Sequence, residues 1–122
     1  VFIALIILNA LLALVFVGSG GMKVVSPIPR LSERGMTFVD RYPTAFTRFI
    51  GIVEVLGGIG LILPVVTGVA PILTPIAAVG LAIIMIGAIV IHVRHSEPVI
   101  PVVVLTLLSL AGAVLGFVYV AA

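Results

Sequence analysis

The sequence predicts an all-α protein, a transmembrane antiparallel four-helix bundle with a short amphipathic interfacial segment between helices 1 and 2. Three observations lead there. Apolar residues make up 63% of the 122-residue chain and charged residues only 8%, against about 45–50% and about 25% in a soluble domain. Mean hydropathy is correspondingly high, at +1.54. The apolar residues also gather into four stretches, each close to the ~20 residues that cross a bilayer core. The few charges collect in two of the three connectors.

The whole chain, residues 1–122, reads as a single transmembrane domain with spans at about 1–22, 46–63, 71–93 and 99–119. The first span is interrupted only by Asn9 and is expected to close at Gly18-Ser-Gly-Gly21, glycine being the usual helix-ending residue. Its apolar run Val1–Val17 is longer than the core of about 7–15 residues in a signal peptide, and no A-x-A site follows it. Because it opens on Val1 rather than methionine, the chain is expected to begin inside a longer or processed protein. The second span is expected to stop at Pro64, which cannot continue a helix. Short turns then join spans two, three and four, making them antiparallel neighbours.

Connector 23–45 differs from the other two. It holds Pro27, Pro29 and Pro43 and most of the charge. Arg30–Arg41 carries Leu31, Phe38 and Val39 among charges at 30, 33, 34, 40 and 41, which suits one amphipathic helix lying at the interface. An irregular loop is the alternative. Aromatic anchors for the interfaces are few, with no tryptophan and only Tyr42 and Tyr119 as tyrosines.

Lys23, Arg30, Arg34 and Arg41 lie in this connector, Arg48 opens the second span and Arg94 begins the third connector. The connector at 64–74 has no charge. The positive-inside rule therefore places the charged connectors in the cytoplasm of a multi-pass cell-membrane protein, with both termini outside. Cysteine is absent, which excludes disulfides, thiolate metal sites and thiol redox chemistry on this chain. No Asp/Glu/His group has metal-ligand spacing, so no metal is expected. These six basic residues read as topology signals rather than a nucleic-acid surface. No nucleophile elbow or phosphate loop is present, and no catalytic residue is assigned.

Helical periodicity selects the inward faces. Asn9, Ala13, Phe16, Gly20 and Lys23 form one stripe, and Gly51, Glu54, Gly58 and Leu61 a second. Leu81, Met85, Ala88 and His92 form a third, and Thr106, Ser109, Ala113 and Gly116 a fourth, with Gly112 at its edge. Polar and small residues in a membrane helix should face the bundle, where glycine lets helices approach. Gly51, Gly58, Gly112 and Gly116 are thus expected to pack helices, with a homo-oligomer contact at Gly112-x-x-x-Gly116 as the lesser alternative.

Glu54 is the one carboxylate inside a span, and a charge facing lipid there would cost roughly 2.5–3.5 kcal/mol. It lies six residues, roughly 9 Å, beyond Arg48, at a depth that Lys23 and His92 can reach. Three readings stay open. Glu54 pairs with Lys23 or His92 and fixes helix register. Alternatively, these groups orient a ligand in a pocket walled by Phe16, Leu81 and Met85, for which a bound quinone or lipid is the fitting occupant. Or Glu54 and His92 relay protons, as in a small proton-coupled carrier. His95 and Glu97, in the tight turn before Pro98, read as solvated turn residues.

Three segments together resemble the DoxX-like family of small four-helix membrane proteins. They are Phe16-Val-Gly-Ser-Gly-Gly-Met-Lys23, the glycine–glutamate–glycine helix Phe49-Ile-Gly-Ile-Val-Glu-Val-Leu-Gly-Gly-Ile-Gly-Leu-Ile-Leu-Pro64, and Ala77-Ala-Val-Gly-Leu-Ala-Ile-Ile-Met-Ile-Gly-Ala-Ile-Val-Ile-His92. The resemblance implies that Lys23, Glu54 and His92 occupy the family's polar positions. The family takes its name from a subunit of a thiosulfate–quinone oxidoreductase. The resemblance therefore implies an accessory, noncatalytic membrane subunit of a larger, redox-linked complex in contact with quinone, and implies no activity of its own. The partners expected are membrane lipid and other membrane subunits. A small carrier and a purely structural anchor remain the alternatives. The absence of C-x-x-C separates the chain from thiol-oxidising membrane bundles, and a likeness to sterol-binding bundles is one of fold alone.

Overall fold

In the computed structural model, which describes residues 1–122, α1 spans Phe2–Val25, α2 Ile28–Glu33, α3 Thr44–Gly60, α4 Leu63–Thr67, α5 Leu73–Arg94 and α6 Ile100–Ala121, with a 3₁₀ turn at Thr37–Asp40. Four helical units are long and apolar enough to cross a membrane, namely α1, α3 together with α4, α5, and α6. They run up and down as a four-helix bundle. α1 packs chiefly on α3 and α5 chiefly on α6, and lighter α1–α6 and α3–α5 contacts close the ring.

The glycines of the first span do not end it. α1 continues through Gly18-Ser-Gly-Gly21 and stops at Ser26, whose extended backbone (φ −77°, ψ 144°) is what a following proline demands. The freed carbonyls of that end are taken by Arg48 Nη1, which donates to Lys23 O (2.8 Å) and Ser26 O (2.7 Å). A cation there also suits the negative end of the helix dipole.

Nor does the second span stop at Pro64. The helix breaks earlier, at Leu61–Ile62, and Pro64 sits in the first turn of α4, where its missing N–H leaves no intrahelical bond unmade. The break frees two carbonyls inside the apolar layer, where each needs a partner. Gly60 O, which residue 64 would ordinarily satisfy, accepts from Thr74 Oγ1 at 3.0 Å. Leu61 O accepts from Asn9 Nδ2 at 2.9 Å. Asn9 is therefore a buried joint between α1 and the α3–α4 kink.

The first connector is not one amphipathic helix. Gly35, at φ +93°, terminates α2, with Met36 N–H donating to Leu31 O and Gly35 N–H to Ser32 O, both at 3.0 Å. The chain then turns into the 3₁₀ segment, which lets Leu31 and Val39 both be buried although they lie on either side of the break.

Within the α1–α3 pair the backbones nearly touch. A Cβ built on Gly20 would meet Gly51 O at 2.6 Å, and one built on Gly51 would meet Gly20 O at 2.6 Å. Gly58 accommodates Val17, Gly112 faces Asn9, and Gly116 faces Pro75. Both glycines of the GxxxG pair are thus occupied inside the chain. The core, formed by Leu12, Phe16, Leu61, Leu81, Met85 and their small neighbours, lies between the two helix pairs.

Candidate functional site

The helix pairs meet closely in the half of the bundle away from the charged connectors and part in the other half, leaving a cavity of about 590 Å³. That volume lies within the ~300–1,000 Å³ of small-molecule sites. Phe16 and Met85 belong both to the core and to the cavity lining, so the core forms part of its wall. Phe46, Ile50, Ile84 and Leu105 extend the apolar walls.

Two polar centres face this space. The first is inside the membrane layer. The Gly20–Gly51 crossing brings the next inward residues of both helices together, and Lys23 Nζ donates to Glu54 Oε1 at 2.5 Å. Lys23 Nζ also donates to Ser19 Oγ at 3.0 Å. The Glu54 side chain is 1% exposed and that of Lys23 10%, so the pair is desolvated. Removing one member of such a pair typically costs about 3–5 kcal/mol, because the other charge is stranded. Glu54 Oε2 accepts no hydrogen bond from the protein.

The second centre is at the mouth. α5 ends with Ser96 in the left-handed region (φ 54°), Glu97 N–H reaching back to His92 O (2.9 Å) and Ser96 N–H to Val93 O (3.2 Å). This helix-ending pattern brings Glu97 back beside His92. Glu97 Oε1 accepts from Arg41 Nη2 at 3.1 Å and lies 3.4 Å from His92 Nδ1, which makes no hydrogen bond of proper geometry. Glu97 Oε2 accepts from Thr37 Oγ1. One carboxylate thus ties the Gly35–Phe38 strap, which lines the cavity, to the α5–α6 turn. The Thr37 hydrogen bond is the largest influence holding the Glu97 carboxyl below the ordinary carboxylate range; desolvation, the next largest, opposes it, and Arg41 and His92 add smaller lowering effects.

The structure places all five predicted pocket residues, Phe16, Lys23, Glu54, Met85 and His92, on this one cavity. It pairs Lys23 with Glu54 but gives His92 a different partner, Glu97. Leu81, expected in the wall, instead packs in the core against Gly57. Glu97 lies in the turn as the sequence suggested and is partly exposed, but it is paired with Thr37 and Arg41 rather than simply solvated, whereas His95 is exposed. Thr37, Arg41 and Glu97 were missed as a group, since Arg41 and Glu97 are 56 residues apart and meet only when the connector folds over the bundle end. The available signal was charge balance. Glu97 is the sole acid of the third connector, opposite a connector rich in arginine.

No group of three or more His, Cys, Asp or Glu side chains is arranged to hold a metal ion. No curated protein and no solved structure matches the chain. A family model described as the DoxX-like family matches residues 7–121, which takes in most of the first span, the other three spans, the Lys23–Glu54 pair and His92, and the chain belongs to that family.

Proposed function

We infer that this chain is an accessory, noncatalytic membrane subunit that holds a lipid- or quinone-sized amphiphile between its helix pairs, within a larger membrane complex. The observation that carries the binding reading is the cavity itself. A compact four-helix chain leaves about 590 Å³ unfilled beside a desolvated ion pair, where close packing would be the ordinary outcome. Apolar walls and a few convergent polar groups are the general composition of a ligand site. The carrier alternative needs Glu54 and His92 to exchange a proton, and each has its own partner instead. The concentration of arginine at the mouth supports an orientation with that end in the cytoplasm, where the connector would meet partner subunits.

Native mass spectrometry of the purified protein tests the binding. The wild type should carry an adduct of lipid or quinone mass, and Ala88→Trp, which fills the cavity from α5, should lose it. A ligand-free mass for both would overturn the reading. The subunit half is tested separately. In gently solubilised native membranes the chain should migrate in a particle larger than itself, and migration as the lone chain would remove that half.

A further inference from the structure

We propose that the occupant is an uncharged amphiphile whose headgroup is a hydroxyl, seated between Glu54 Oε2 and Lys23 Nζ. This rests on the binding reading above and specifies its chemistry. Four ionisable side chains line the cavity: Lys23, Glu54, His92 and Glu97. At the mouth both oxygens of Glu97 are taken, one by Thr37 and the other by Arg41, and what is left over is His92 Nδ1, 3.4 Å from Glu97 and without a hydrogen bond of proper geometry. At the inner centre the charges cancel, but the hydrogen bonds do not. Glu54 Oε1 accepts from Lys23, while Oε2 accepts from no protein donor. Lys23 uses two donors, on Glu54 and Ser19, and an ammonium has three.

The unmet demand at this inner centre is thus one acceptor and one donor, side by side, in a cavity whose walls are mainly apolar. A hydroxyl meets both at once, being donor and acceptor together. A carboxylate or phosphate headgroup would set a second negative charge against Glu54 where little water screens it. An ammonium would do the same to Lys23. An ester, ether or quinone carbonyl would satisfy Lys23 but, on displacing water from Oε2, would leave that oxygen without a donor, which is costly. A fatty alcohol, diacylglycerol, sterol or hydroquinone fits; a free fatty acid, an anionic phospholipid or a fatty amine does not.

Four probes with one tail isolate the headgroup, namely oleyl alcohol, its methyl ether, oleate and oleylamine. Their affinities for the wild-type protein in a neutral detergent, read by native mass spectrometry competition, should rank the alcohol at least about tenfold above each of the others. Replacing the pair together with apolar side chains, Lys23→Met with Glu54→Met, should collapse the preference for alcohol over ether, since neither side chain then offers a strong donor or acceptor, while leaving the protein folded. If oleate or oleylamine binds more tightly, or all four bind alike, the headgroup assignment is overturned while the pocket stands. If none binds and Ala88→Trp behaves as wild type, the pocket reading fails and takes the headgroup with it.

Discussion

Glu54 stands between two regions that treat space in opposite ways. On its α1 side the Gly20–Gly51 crossing has no room for a methyl group, and backbone faces backbone. On its α5 side Gly87 has no atom within 4 Å of where a Cβ would be, and the cavity begins. Both regions are glycine-bearing helix faces in the same half of a small bundle. What separates them is register. Gly20 and Gly51 lie opposite one another, so close approach removes both from lipid, whereas no atom of α1 or α3 comes within 4 Å of where a Cβ on Gly87 would be. Glycine in a membrane helix therefore does not by itself signify packing; its partner decides.

The most severe way to break this contrast is to add bulk at the crossing. Gly51→Val should cost more than about 3 kcal/mol, above the ordinary range for overpacking, because the obstacle is a backbone carbonyl that cannot rotate away. Loss of a monodisperse, cooperatively melting protein in detergent is the expected outcome. Gly87→Ala should instead be neutral or gain roughly 0.5–1 kcal/mol from helix propensity. Equal melting temperatures for Gly51→Val and wild type would mean that the crossing is not close.

The ion pair at the border comes next. Glu54→Gln alone leaves Lys23 buried without its counter-charge and should lower stability by about 3–5 kcal/mol. Lys23→Met combined with Glu54→Gln should recover most of that loss, since the desolvation of both charges is removed together. A thermal-melt double-mutant cycle reads the coupling. Additive losses would show that the two side chains do not depend on each other.

How much of this was legible follows from the range over which each contact acts. Four spans and their inward stripes follow from a 3.6-residue period, which is local, so Glu54, Gly51 and Gly58 could be placed on one face from sequence. Depth along straight helices then brought Lys23 to Glu54. His92 was placed at the right end but with the wrong partner, because Glu97 depends on the turn at Ser96 and on a connector folding over the bundle. The helix-ending role expected of Gly18-Ser-Gly-Gly21 failed for a related reason. A glycine run either stops a helix or admits a neighbour, and only the position of Gly51 in another helix decides between them.

A smaller effect is expected at the α3–α4 kink. Asn9→Leu should cost about 1–3 kcal/mol, because it leaves Leu61 O without its donor in an apolar layer. Thr74→Val should act similarly through Gly60 O. Both losses should appear in thermal melts while leaving occupancy of the distant cavity unchanged. Loss of a co-purifying ligand with either variant would show that the kink and the cavity are one cooperative unit, and that the contrast between closed and hollow halves is too sharply drawn.

The mildest change concerns the strap over the cavity. Glu97 is held below the ordinary carboxylate range by contacts that exist only when the strap is seated, the Thr37 hydrogen bond foremost. Its contribution is therefore complete above the ordinary carboxylate range and is lost as pH falls through the lowered value, where protonation removes the charge that Arg41 meets. The chain has no cysteine, so Met36→Cys gives a single attachment point for an environment-sensitive fluorophore on the strap. Its emission should be constant from neutral pH down to the ordinary carboxylate range and shift toward the solvated value below it. Adding Glu97→Ala should give the solvated value already at neutral pH, and the acid transition should vanish. A transition that survives Glu97→Ala would assign the strap's closure to another group.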